Sequence, residues 1–163
     1  MRIMGIDPGY AIVGYGTVEY ENNKFYPVEY GAVTTAAHTP FEDRLQEIYD
    51  GVDTVIKRAK PQAIAIEQLF FTTNQKTVIQ VAMARGVILL CAKNNNIPVF
   101  EYTPLQIKQS VAGYGKAVKK QVMEMTKILL RLEKVPKPDD TADALAVAIC
   151  HCHSCRSKLM HLK

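Results

Sequence analysis

The sequence has no tryptophan, and its four cysteines are Cys91, Cys150, Cys152 and Cys155, three of them within six positions of one another. Cysteines crowded at one end cannot staple a secreted fold across its loops, so stability has to come from a core. Long hydrophobic runs are also lacking. The densest, Val87 to Ala92, is far too short to cross a bilayer, and Met1 and Arg2 lead straight into a strand pattern. A cytoplasmic protein with no membrane partner is expected. Charge of one sign is nearly balanced at a net +4, while 48% of residues are hydrophobic, which excludes a disordered chain and fits one globular domain of 163 residues.

What charge there is has a pattern. Between Leu105 and Lys137 stand Lys108, Lys116, Lys119, Lys120, Lys127, Arg131, Lys134 and Lys137 against only Glu124 and Glu133. A locally basic segment suits a polyanion, although a solvated helix face is the ordinary fate of such a run.

Residues 2 to 7, 11 to 20 and 24 to 34 read as three strands, rich in Ile, Val and Tyr and broken by Pro8-Gly9 and Glu21-Asn22-Asn23. Breaks that short imply an antiparallel meander. Phe41, Leu45, Ile48, Val52, Val55 and Ile56 recur at helical spacing, with Thr39 as the expected cap. A buried strand (62 to 68), a long helix (74 to 95) and another strand (97 to 102) follow. Helices connecting these later strands imply parallel pairing. The rest reads as helices over 103 to 111, 116 to 132 and 140 to 155. The fold class is therefore α/β: a mixed five-stranded sheet, three antiparallel strands then two parallel ones, with helices on both faces.

Asp7 closes the first strand and Glu67 the fourth, and in such sheets ligands collect at the carboxyl ends of the parallel strands. If strands one and four pair, both carboxylates leave the same edge. Asp140 and Asp143, three apart at a helix start, share a face. Acidic residues there ordinarily cap or complement the helix dipole, but Asp143 sits among Ala142, Ala144, Ala146 and Ala148, small residues that suit close packing on a sheet. Four converging carboxylates would repel one another unless a cation neutralised them. Magnesium or manganese suits oxygen ligands, and two such ions roughly 4 Å apart would grip both oxygens of a phosphodiester displacement.

Taken in order, GIDPGYAIVGYG, AIEQLFF, ARGVILLCA, PLQIKQSVAGYGKAVKKQV and DDTADALAVAICHCH resemble the RuvC family of Holliday junction resolvases over nearly the whole chain. The resemblance implies an RNase H-like nuclease domain over residues 1 to 155 with a short basic tail (156 to 163). It implies a homodimer that cuts four-way junction DNA with two Mg2+ per subunit, Mn2+ substituting, beside a branch-migration motor complex in the nucleoid. The family's metal-binding and catalytic acids fall on Asp7, Glu67, Asp140 and Asp143. Its phosphate-contacting lysines fall on Lys108 and on Lys119 or the adjacent Lys120, and its junction-facing aromatic on Phe70 or Phe71.

Other readings compete. An aromatic pair such as Phe70 and Phe71 is more often core, the helix over 77 to 93 is apolar almost all round and so expected to be buried on more than one side, and CHCHSC invites a zinc site against a default of free thiols. DPG followed by glycines also resembles the phosphate loop of the actin and sugar-kinase fold, which needs a second lobe. A junction-binding module without catalysis, or another RNase H-like nuclease, completes the alternatives.

Overall fold

A computed structural model gives the protein over residues 1–69 and 75–160, without the side chains of 75, 76 and 156–160. The elements run β1 (Arg2–Asp7), β2 (Ile12–Glu21), β3 (Lys24–Thr34), α1 (Phe41–Ala59), β4 (Ala63–Glu67), α2 (Gln75–Asn94), β5 (Val99–Tyr102), α3 (Pro104–Ala112), α4 (Lys119–Leu129) and α5 (Asp139–Met160). The sheet order is β3-β2-β1-β4-β5. β1 pairs antiparallel with β2 and parallel with β4, β2 pairs antiparallel with β3, and β4 pairs parallel with β5. The condition on which the carboxylate argument rested, pairing of the first and fourth strands, is met. Thr39 does not cap α1: Pro40 holds that position with no side-chain bond, its ring fixing the entry backbone, and Lys60 closes the helix in the left-handed region.

Strand alternation divides the interior. Met4, Ile6, Ile64 and Ile66 pack with Ile48 of α1 and Ile88 of α2, while Ile3, Val18, Ala63 and Ala65 pack with Leu145 and Ile149 of α5 and with Ile107 and Val122 of α3 and α4. β1 and β4 are thus covered on both faces, which is why they read as continuous apolar runs. By the same alternation Asp7, in phase with Ile3 and Gly5, and Glu67, in phase with Ala63 and Ala65, lie on the α5 side.

α5 is buried along most of its length because it lies on strand backbone rather than on side chains. A Cβ at Gly5 would fall on the Ala144 carbonyl oxygen, one at Gly14 on the Asp140 carbonyl oxygen, and one at Gly16 would meet Leu145 Cγ at 2.5 Å. Gly5 and Gly16 are cross-strand partners, and Gly14 is the partner of Asp7. Glycine in a strand interior marks such an approach. Thr141 Oγ1 donates to the Gly31 carbonyl at 3.0 Å, and further along Tyr102 Oη and His151 Nδ1 share a 2.7 Å hydrogen bond that ties α5 to β5.

α2 differs from expectation. Ala84, Ile88, Cys91 and Ala92 are buried, but Ile79, Met83 and Leu90 are 59%, 47% and 55% exposed, so within one chain only one face is covered. By length and composition alone Thr77–Asn94 is also apolar enough to cross a membrane, at a mean hydropathy of 1.2, which the shorter run Val87 to Ala92 did not suggest. Arg85 on this helix pairs with Glu101 of β5 at 2.6 Å.

Gly14→Ala should therefore lower stability by about 1 to 3 kcal/mol, because the clash is with backbone that cannot rotate away. Thermal unfolding should show the Tm of Gly14→Ala lowered by roughly 3 °C or more.

Candidate active site

Ile6 and Ile66 are partners in the parallel ladder, so Asp7 and Glu67, each one residue further on, emerge side by side at the sheet edge. α5 supplies the other two acids from its first turns. The Asp140 backbone lies against Gly14, directly across the ladder from Asp7, and Asp143 follows one turn later. Asp143 and Glu67 line a cleft of about 270 Å³ together with Lys108, Lys119, Pro104 and Ile107. Asp7 and Glu67 line an adjoining hollow of about 240 Å³ with Pro8, Gln68, Leu69 and Pro104. Glu67 and Pro104 belong to both, so Asp7, Glu67 and Asp143 border one continuous depression, while Asp140 lines neither hollow but stands close enough for its charge to act on Asp7.

The electrostatics follow from that grouping. Burial first, and then the charges of Asp143, Glu67 and Asp140, push the Asp7 carboxyl up to about 8, with Lys119 acting the other way. Burial and the Asp143 charge raise Glu67, against Lys119 and Lys108, and burial raises Asp143 against its hydrogen bond with Lys119. Lys119 Nζ donates to Asp143 Oδ2 at 2.7 Å. Two ammonium groups at the rim, Lys108 and Lys119, do not neutralise four carboxylates. An all-oxygen donor set whose buried member is held far above its ordinary range fits a hard divalent cation. Among the described residues, no three His, Cys, Asp or Glu side chains yet converge closely enough to hold an ion.

The remaining expected residues divide. Lys108 faces the cleft from α3, whose start is fixed by a capping box in which Gln106 N donates to Thr103 Oγ1 at 3.2 Å and Thr103 N donates to Gln106 Oε1 at 2.8 Å. Lys119 reaches the acids from the first residue of α4. Lys120 is exposed and lines a neighbouring hollow with Lys119, Lys137 and Asp139 rather than the cleft that holds Glu67 and Asp143. Phe70 and Phe71 lie outside the described residues, although Leu69, just before them, borders the hollow that contains Asp7. The sequence reading missed Pro104, shared by both hollows. It also missed the pairing of Lys119 with Asp143 and the role of Gly5 and Gly14 as seats for α5. The Gly-x-Gly spacing of Gly14 and Gly16 was the available signal, since residues two apart on a strand share a face.

CHCHSC makes no such site among the described residues. Cys150, Cys152 and His151 are buried within α5, burial pushes the Cys150 thiol up to about 11, and among the described residues the cysteines form no disulfide.

The family described as Crossover junction endodeoxyribonuclease RuvC matches residues 3–151. A protein of that name from Caldanaerobacter subterraneus subsp. tengcongensis is 56% identical over 154 residues, covering 94% of this chain and 93% of its own. Another from Clostridioides difficile is 58% identical over 94% of this chain and 91% of its own. Among solved structures, T. thermophilus RuvC in complex with Holliday junction substrate superposes with a TM-score of 0.92 at 34% identity, over 97% of this chain and 96% of that one.

The crowding of acids sets a pH dependence of stability. Asp7 has a folded pKa near 8, above its unfolded value near 3.8, so the unfolded chain gives up this proton first. Asp7 then costs nothing below about pH 4, costs more as pH rises to about 8, and costs its full amount above that. Asp7→Asn should raise the Tm of chelator-treated protein at pH 8, by about 5 °C for roughly 2 kcal/mol, and make little difference at pH 4 to 5. Magnesium should stabilise the wild type most at the alkaline end. Melting curves across pH 4.5 to 8.5, with chelator and with magnesium, check both signs.

Proposed function

The chain belongs to the RuvC family of crossover junction endodeoxyribonucleases, and we propose that it resolves four-way DNA junctions with the residues gathered at the acidic edge of its sheet. The observation that carries this assignment is the grouping of Asp7, Glu67 and Asp143 around one depression flanked by Lys108 and Lys119, with Asp140 near enough for its charge to act on Asp7. We assign to these four carboxylates the binding of two magnesium ions per subunit, with manganese able to substitute. When bound, such ions lower the pKa of water and neutralise charge on the phosphodiester, so no covalent enzyme intermediate is required.

The chain's own groups then have distinct tasks. Asp7, the most buried of the acids by its surroundings, anchors the site from the rigid end of a central strand, and Glu67 does the same from its parallel neighbour. Asp140 and Asp143, on one helix face, complete the cage and orient the attacking water. Lys108 and Lys119 hold positive charge beside the non-bridging phosphate oxygens as negative charge builds there. Lys120 and Lys116, exposed on the same basic segment, contact the flanking backbone. Phe70 or Phe71, next in sequence after the hollow, stacks at the open junction centre, where base faces are already partly uncovered.

A single nuclease domain over residues 1 to 155, acting in the cytoplasm on nucleoid DNA beside a branch-migration motor, fits this role. So does a homodimer, since a junction offers two equivalent strands to cut. We assign its two-fold contact to the outer face of α2, where Ile79, Met83 and Leu90 are exposed in the single chain. Arg85 on the same helix also pairs with Glu101 of its own chain.

Incubation with a four-way junction, a duplex and an RNA/DNA hybrid should give paired symmetric cuts in the junction alone, with magnesium and not with chelator. Asp7→Asn, Glu67→Gln and Asp143→Asn should each lower the cutting rate by about 100-fold or more while junction binding persists. Alanine at whichever of Phe70 and Phe71 is the stacking ring should narrow the preference for junction over duplex without lowering Tm. Near-normal cutting by any acid variant would remove that residue from the site.

Leu90→Glu should convert the dimer to a monomer and abolish paired cutting, as read by sedimentation and by the ratio of nicked to linear product. An active monomeric wild type would overturn the dimer.

A further inference from the structure

We propose that Lys119 is a built-in competitor for the cation site: in the metal-free protein its ammonium occupies Asp143 and holds the acidic cage open, and it passes to the DNA phosphate as metal and substrate arrive. The inference rests on the metal assignment above and concerns a step that precedes the chemistry.

Two observations carry it. Lys119 Nζ donates to Asp143 Oδ2 at 2.7 Å, with the lysine side chain 57% exposed and the aspartate 22% exposed. Asp7, Glu67 and Asp143 border one depression, yet among the described residues no three His, Cys, Asp or Glu side chains are grouped closely enough to hold an ion. Asp143 is the member whose oxygen is already engaged. A lysine ammonium satisfies one carboxylate with one charge, whereas a divalent ion needs several oxygens at once. Binding the ion therefore requires the ion pair to break.

The lysine is built to move. Its backbone is the first residue of α4, fixed by buried Ala117 before it and buried Val122 after it, and Val118 N donates to Gln121 Oε1 at 3.0 Å. Four methylenes separate this fixed point from a solvent-facing ammonium, so Nζ can leave Asp143 without disturbing the helix. Lys108 borders the same cleft but forms no ion pair within 4.0 Å among the described residues, so it adds positive charge without occupying a ligand.

The consequence is a linkage. Any phosphate that draws Lys119 away frees Asp143 and tightens metal binding, and by reciprocity metal that displaces Lys119 tightens binding of the phosphate. Free protein would hold metal weakly, and the cage would close on DNA. A nuclease with this arrangement assembles its active centre chiefly where a phosphate is already in place.

The test is Mn2+ binding to DNA-free protein, by titration calorimetry or by the electron spin resonance of free Mn2+, with folding verified by thermal unfolding. Lys119→Met should bind Mn2+ about 3- to 10-fold tighter than wild type, whereas Lys108→Met should gain less than about 2-fold. In nitrogen-15-labelled wild type, the Lys119 ammonium resonance should lose its ion-paired character when Mg2+ is added. A folded Lys119→Met with unchanged or weaker Mn2+ affinity would overturn the proposal, and so would an equal gain in Lys108→Met, which would mean only long-range charge. Asp143→Asn separates the two levels of inference. If it weakens Mn2+ binding while Lys119→Met fails to tighten it, only the competition fails. If neither wild type nor Lys119→Met shows Mn2+ binding that adding Asp143→Asn weakens, the metal assignment fails and the competition with it.

Discussion

The approach of α5 to bare strand backbone is the contact on which the acidic edge depends. Gly5, Gly14 and Gly16 form a patch without side chains on the central strands, and the alanine-rich face of α5 rests there. That approach brings the Asp140 backbone over the residue that pairs with Asp7, and so joins two acids separated by more than a hundred positions. Larger side chains at the contact would push the helix outward, and the acids it carries would no longer share a hollow with those of the strands. Packing at this place is therefore part of the chemistry.

The same closeness creates an electrostatic conflict that the protein alone does not resolve. Asp7 leaves the end of a strand buried on both faces and meets the charges of three other acids, while Lys119 supplies one opposing charge from the rim. Function and stability pull against each other here, as they do where ionisable groups are gathered for a ligand that arrives later. The rest of the molecule is conventional by comparison. Two apolar layers sandwich the sheet, and its ionic contacts, such as Arg58 with Glu29 and Lys57 with Asp53, are solvent-exposed pairs of small worth.

α2 shows how one helix serves two purposes. Its buried stripe of Ala84, Ile88, Cys91 and Ala92 closes the second core layer, and its outer stripe of Ile79, Met83 and Leu90 stays open to solvent in the single chain. An apolar helix without strong amphipathicity reads from sequence as wholly buried. The chain itself covers only half of it, which directs attention to a second copy.

Local rules settled much of this protein before any coordinates. Alternation and short turns mark the meander of β1 to β3, helical crossovers mark β4 and β5 as parallel, and Asp7 and Glu67 stand at strand ends because the apolar runs stop there. The motif pattern across the chain carried the family. What depended on long-range packing stayed out of reach: that β1 and β4 are neighbours, that Gly5 and Gly14 seat α5, that Lys119 rather than Lys120 turns toward the acids, and that only one face of α2 is covered. Strand and helix periods are properties of neighbouring residues, so a sequence displays them. Which faces meet, and which lysine of two adjacent ones points inward, depends on the rotation of a helix about its own axis. Only contacts between distant segments fix that rotation.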